Sequence, residues 1–168
     1  MDVIFDTEFS SLEKRNGHRY LISIGCVADD GREFYAELVD TWDESLCSFF
    51  TIQNVLPQLE GGAREMEVGE LAFRLKKWIE GSNEQVTLIS DAPELDWPFV
   101  QNIFNIHGWP KNLNQECGAV PRYEAIRCRF DAAVAEYWIA NKDIGAAPHH
   151  ALWDARCNRF ALKESLSS

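Results

Sequence analysis

Two carboxylates stand two residues apart in Phe5-Asp6-Thr7-Glu8-Phe9, near the end of an apolar run that starts at Val3. Side chains on a β-strand alternate between faces, so Asp6 and Glu8 share one face while Val3 and Phe5 take the other. Like charges held this close push each other's pKa upward unless a cation intervenes. Mg²⁺ and its relatives are the usual answer, because they take oxygen ligands and keep waters that can become nucleophiles. A solvent-facing edge strand would also explain such a pair, so the pair needs partners. Asp96 follows a later apolar run, and Asp154 follows the pair His149-His150. Four carboxylates and a histidine suit two divalent ions about 4 Å apart in phosphoryl chemistry, with the histidine taking the proton of an attacking water.

The elements that must position these residues can be read in order. Asp2 to Glu8 predicts a first strand, and the polar connection Phe9 to Arg19 carries the Asn16-Gly17 turn signal. Tyr20 to Val27 predicts a second strand, apolar on both faces and therefore inside the sheet, and Glu33 to Leu38 a third, together a meander. Residues 40 to 65, with Trp42, Phe49-Phe50, Pro57 and Gly61-Gly62, predict short helices and loop with no chemistry assigned. Val68, Leu71, Ala72, Leu75, Trp78 and Ile79 recur at helical spacing up to a stop at Gly81. Gln85 to Ser90 predicts a short buried strand, and Phe99, Ile103 and Phe104 or Ile106 the stripe of another helix. Cys117 to Val120 can add a short strand. A long helix is expected from near Pro121, then a small-residue break over Asn141 to Pro148. A final helix is expected over His149 to Leu162, with Trp153, Cys157 and Phe160 at core spacing.

A chain of 168 residues, 46% hydrophobic and 12% aromatic, is expected to form one folded domain. It has no apolar stretch near the ~20 residues a membrane span needs, and its N-terminus lacks the features of a secretory leader. Five scattered cysteines, with no Cys-x-x-Cys pair, read as reduced buried thiols. These features predict a cytoplasmic protein. The net charge of −11 argues against tracking along a duplex, which calls for a basic footprint. An enzyme that grips a few nucleotides through metal ions, stacking and a small local patch remains compatible with it.

Asp6-x-Glu8, Asp96 and the five-residue spacing from His149 to Asp154 resemble the DEDD exonucleases, histidine branch. Within that superfamily the closer likeness is to the small bacterial 3′-to-5′ exoribonucleases of the RNase AS kind. It runs through Asp6-Thr7-Glu8-Phe9, Leu21-Ile22-Ser23-Ile24-Gly25, Asp30-Gly31-Arg32-Glu33-Phe34-Tyr35 and His149-x-Ala151-Leu152-x-Asp154-Ala155-Arg156. The likeness covers both termini and hardly touches residues 40 to 80 and 105 to 145. It implies an α/β, ribonuclease H-like fold with a mixed sheet of about five strands flanked by helices, and a site for two Mg²⁺ or Mn²⁺ ions. The implied reaction is removal of nucleoside 5′-monophosphates from single-stranded RNA 3′ ends, adenylate-rich ends among them, by a homodimer. A single-strand DNA exonuclease on the same fold fits the motifs too, and an inactive acidic interaction module is the reading from another class.

On this resemblance Asp6 bridges both ions, Glu8 and Asp154 complete one coordination sphere, and Asp96 supports the site directly or through water. His149 is the expected base; His150 competes because it lies one helical turn from Asp154. Asp91 competes with Asp96, whose bland alternative is a helix N-cap before Pro98. Phe9 and Leu12 are candidates to meet a terminal base, Phe9 equally for the core, and backbone amides around Thr7 and Phe9 could hold the ribose. Trp97 and His150 join the substrate-binding candidates. Arg156 and Arg159 are phosphate guides or ion-paired surface residues. His18 and His107 read as loop or surface.

Overall fold

The computed structural model describes residues 1–121 and 123–167. β1 (Asp2–Phe9), β2 (Leu21–Ala28) and β3 (Glu33–Leu38) form the expected antiparallel meander. Between β1 and β2, Asn16 (φ 53°) and Gly17 (φ 80°) make a left-handed two-residue turn, closed by backbone bonds of 2.8 and 3.0 Å between Arg15 and His18. β2 is buried at every residue: β1 and β3 pair with its two edges, and other elements pack on both of its faces.

Three short strands extend this sheet. β4 (Glu65–Met66) pairs parallel with β3, β5 (Thr87–Ser90) parallel with β1, and β6 (Gly118–Ala119) parallel with β5. The mixed sheet thus has six strands in the order β4-β3-β2-β1-β5-β6, one more than expected. The addition is β4, whose two residues are too few to leave an alternating pattern.

Helices α1 (Phe49–Asn54), α2 (Val68–Glu80), α3 (Pro93–His107), α4 (Glu124–Asn141) and α5 (Ala151–Leu166) complete the chain. Val3, Phe5, Ile24, Cys26 and Ala36 on one sheet face pack with Leu71, Leu75 and Ile79 of α2 and Val100, Ile103 and Phe104 of α3. On the other face Val27 and Tyr35 meet Ala151, Leu152 and Ala155 of α5, and α4 backs α5 through Phe130, Ala133 and Ala161. Of the expected core stripe of the last helix, Cys157 is buried, whereas Trp153 and Phe160 are only half-buried, and Ala151, Leu152 and Ala155 make the contact with the sheet. Gly25 on β2 is the reason. A Cβ there would collide with the Ala151 carbonyl and the Leu152 nitrogen, so the helix backbone rests directly on the strand.

Two helix starts also move. α3 begins at Pro93, which takes the first-turn position proline favours, so Asp96 sits inside the first turn and is not the N-cap. α5 begins at Ala151 with His150 as its N-cap, leaving His149 outside the helix. All five cysteines are free; Cys26, Cys47 and Cys157 are buried as expected, whereas Cys128 on α4 is exposed. No helix among the described residues is long and apolar enough to cross a membrane.

Candidate active site

The β1 alternation puts Asp6 and Glu8 on the face that α5 covers, opposite the fully buried Val3 and Phe5. Gly25 stands directly across from Asp6 in the β1–β2 register. The close approach it permits therefore brings the start of α5 down beside the carboxylate pair.

Asp154, in the first turn of α5, reaches back over that start. Its Oδ2 accepts the His149 N–H at 2.8 Å and the His150 N–H at 3.2 Å. These bonds help hold His149 at φ 69°, a left-handed conformation uncommon for a residue with a side chain. Gln58 holds the other side, its Nε2 donating to the Pro148 carbonyl at 2.5 Å and approaching the His149 carbonyl at 3.2 Å. The Phe50 ring meets the His149 ring edge-on at 4.8 Å. So fixed, His149 brings a ring nitrogen to Glu8 and Asp154, with ligand atoms of the three residues within 4.8 Å of one another.

A second trio, Asp6, Asp91 and Asp96, converges within the same limit. Asp96 is 2% exposed. It accepts hydrogen bonds from the Thr7 hydroxyl at 2.5 Å and from the Ser90 hydroxyl, so β1 and β5 fix both its oxygens. Asp91 is oriented by the Asn158 amide of α5, one turn beyond Asp154, at 2.9 Å. Asp91 and Asp96, alternatives in the motif, are thus neighbours in space. Both trios line one cleft of 490 Å³.

The electrostatics follow from five carboxylates in little water. Burial, and then the charges of Asp154, Asp96 and Glu8, raise the Asp6 carboxyl well above its usual range. Burial and the charges of Asp154 and Asp96 push Glu8 up to about 9. Burial raises Asp154 to about 7 against the opposing pull of the His149 and His150 amides, and Asp96 to about 6 against its two hydroxyl donors. Burial lowers His149, which keeps its imidazole neutral and able to accept a proton near pH 7. Clustered carboxylates that resist ionising fit hard divalent cations, which reverse the repulsion.

The remaining candidates fall in different places. Phe9 lies against Phe99 with centroids 5.6 Å apart and borders the cleft. Leu12 is 66% exposed and, with Phe9, Phe49, Phe50 and His149, lines an adjoining cavity of 590 Å³. Trp97, expected toward substrate, packs instead in the core against Phe5 and Trp109, because α3 starts early and turns it inward. His150 is buried on Tyr35, rings stacked at 4.5 Å, with Nε2 3.4 Å from Glu60. Its Nδ1 faces the Trp153 N–H at 3.5 Å. Arg156 is held bidentately by Glu33 at 2.7 and 2.6 Å, and Arg159 donates to the Asp29 carbonyl. His18 and His107 are exposed.

The segment that supplies Phe50 and Gln58 holds no motif that points to chemistry. The adjacent pair Phe49-Phe50 was the available signal, since α1 leaves both rings more than half exposed. Asn158 carried no signal, as its role depends on a contact 67 residues away.

No protein-family model matches the chain, and no curated protein matches it. Among solved structures, E. coli exonuclease I in complex with a 5cy-dT13 oligonucleotide is similar at a TM-score of 0.56 and 12% identity, over 98% of this chain and 39% of that one. The same protein with a dA16 oligonucleotide gives 0.58 and 12%, over 98% and 40%, and its apo form 0.56 and 12%, over 98% and 41%. The chain therefore spans about two fifths of the exonuclease I chains it matches. The six-stranded mixed sheet with its flanking helices is the ribonuclease H-like exonuclease fold, which this chain shares with exonuclease I.

Proposed function

We propose that the chain is a divalent-metal-dependent 3′-to-5′ exonuclease that removes nucleoside 5′-monophosphates from single-stranded RNA ends. The observation that carries this reading is the convergence of Glu8, His149 and Asp154 with Asp6, Asp91 and Asp96 in one cleft. Asp6, Glu8, Asp96 and Asp154 would hold Mg²⁺ or Mn²⁺, which supplies charge stabilisation at the phosphoryl oxygens and a more acidic water. His149 is the base that takes the proton of the attacking water, its backbone held by the Asp154 carboxylate and Gln58 from either side and its ring met by Phe50. The cavity beside it, walled by Phe9, Leu12 and Phe50, offers apolar faces to the bases at the strand end. A site this local accords with a chain of net charge −11.

The motif likeness supports RNA as the substrate. DNA is the second reading, favoured by the exonuclease I structures that hold dT13 and dA16 oligonucleotides. Homodimerisation and a preference for adenylate-rich ends belong to the same proposal and rest on the motif likeness alone, while a cytoplasmic location is proposed from the five free cysteines. Matched 5′-labelled RNA and DNA strands with Mn²⁺ test it. RNA should shorten one residue at a time, chelator should stop the reaction and Asp6→Ala should abolish it. Wild type and Asp6→Ala equally inert on both polymers would sink the reading; faster loss of DNA would transfer it to the second.

A further inference from the structure

We infer that the turn joining β1 to β2 grips the phosphates of a single nucleic-acid strand upstream of the bond to be cut. This rests on the exonuclease reading above and names how that site holds its polymer. Lys14, Arg15, His18 and Arg19 fall within six residues of a chain that is otherwise strongly acidic. Several arginines elsewhere are taken by acids: Arg32 pairs with Asp30, Arg64 with Glu60, Arg74 with Glu70, and Arg156 with Glu33. Lys14, Arg15 and Arg19 form no ion pair among the described residues. Lys14 and Arg15 are exposed, while the Arg19 Nε donates to the Leu12 carbonyl at 2.8 Å, tying the turn to the cavity wall.

The turn is also built to hold its shape. Asn16 and Gly17 supply the two left-handed residues, and the Arg15–His18 backbone bonds close the ladder, so the basic side chains leave a defined scaffold.

Position supplies the rest. Arg15 lines the same 590 Å³ cavity that Glu8 and His149 border, so this basic residue and the candidate catalytic residues share one continuous space. In 3′-to-5′ removal the phosphate at the carboxylates is the scissile one, and every other phosphate of the strand lies 5′ to it. Cations outside the carboxylate cleft can therefore meet only the upstream strand. A local grip of this kind also reconciles polymer binding with the chain's overall negative charge, which would repel a strand everywhere else.

The test is the double variant Lys14→Gln/Arg15→Gln, with Lys14→Arg/Arg15→Lys as the charge-keeping control. Affinity of a fluorescent single strand is read by anisotropy across a salt series, and kcat/KM on the strand is compared with that on a dinucleotide. Each phosphate contact to a single strand contributes about 0.7 to the salt slope. The double variant should lose about 1.4 of that slope and lose more kcat/KM on the strand than on the dinucleotide, with an unchanged thermal midpoint. The charge-keeping control should restore the slope. An unchanged salt slope, or an equal loss on both substrates, overturns the inference while leaving the exonuclease reading intact. Salt-dependent binding that the double variant weakens, in a wild type that cuts neither polymer, supports the grip and overturns the exonuclease reading instead.

Discussion

At the scale of single residues, the two adjacent histidines show what spacing resolves and what it leaves open. His149 lies five residues before Asp154 and His150 four, so helical geometry alone makes His150 a credible base. What separates them is a backbone conformation, φ 69° at His149, and a buried contact, His150 on Tyr35 and Glu60. Neither leaves a trace in composition or periodicity. His149→Ala should lower turnover by about 10²–10⁴, the usual contribution of a general base. His150→Ala should act mainly on the thermal midpoint, since it empties a buried stack and removes the α5 N-cap. Turnover and melting measured on both variants decide this, and the opposite pattern would exchange their roles. Gln58 belongs to the same scale. Gln58→Ala frees the carbonyls of Pro148 and His149, so kcat should fall up to about 10²-fold through misplacement while KM moves little. Parallel falls in kcat and kcat/KM would fit that outcome, whereas a change confined to KM would contradict it.

At the scale of elements, the strands and long helices were legible because their apolar periods of two and 3.6 are local properties. The meander and α2 lie where the pattern puts them, and the final helix does so apart from its ends, Ala151 and Leu166 in place of His149 and Leu162. Starts were less legible. α3 begins a turn early because Pro93 sets the first helical turn, a tertiary choice between two prolines that the stretch Asp91 to Pro98 does not decide by itself. In the sequence Gly25 stands out only within the likeness over Leu21 to Gly25, and the structure gives it a physical reason. It is the residue that lets α5 lie on β2 and so carries Asp154 to Glu8. Gly25→Ala should therefore strike fold and site together. Overpacking against backbone, which cannot rotate aside, costs about 1–3 kcal/mol. That amounts to a fall of several degrees in the melting midpoint for a chain of this size. Activity should drop beyond what the lost stability explains, because α5 must shift as a unit. A variant with wild-type melting and turnover would show that the helix does not depend on that approach.

At the scale of the whole molecule, the acidic cleft should couple stability to pH and to divalent ions. Unfolded Asp and Glu titrate near 3.9 and 4.3, whereas Asp154 and Glu8 are raised to about 7 and about 9 in the folded chain. The native state therefore holds protons that the unfolded state has lost, and the stability this provides disappears as pH rises through the folded values. Asp30, Glu33 and Asp43 are lowered and have the opposite sign, but act only below about pH 4.5. His149 and His150, lowered by burial, make stability rise with pH near 6.5 and drop out above it. Buried thiols, Cys157 raised to about 12 and Cys117 to about 11, add a falling slope only once unfolded thiols ionise near pH 8.5. Between about pH 7 and 8.5 the cleft carboxylates are left in control, and the metal-free midpoint should fall as pH rises. Mn²⁺ binds the ionised form, and a free concentration 100 times its dissociation constant adds about 2.7 kcal/mol. Metal-free and Mn²⁺ melting curves should consequently diverge across that window, and Asp6→Asn should narrow the gap. Curves that stay parallel from pH 7 to 8.5 would mean that the carboxylates neither repel as their burial dictates nor share a cation.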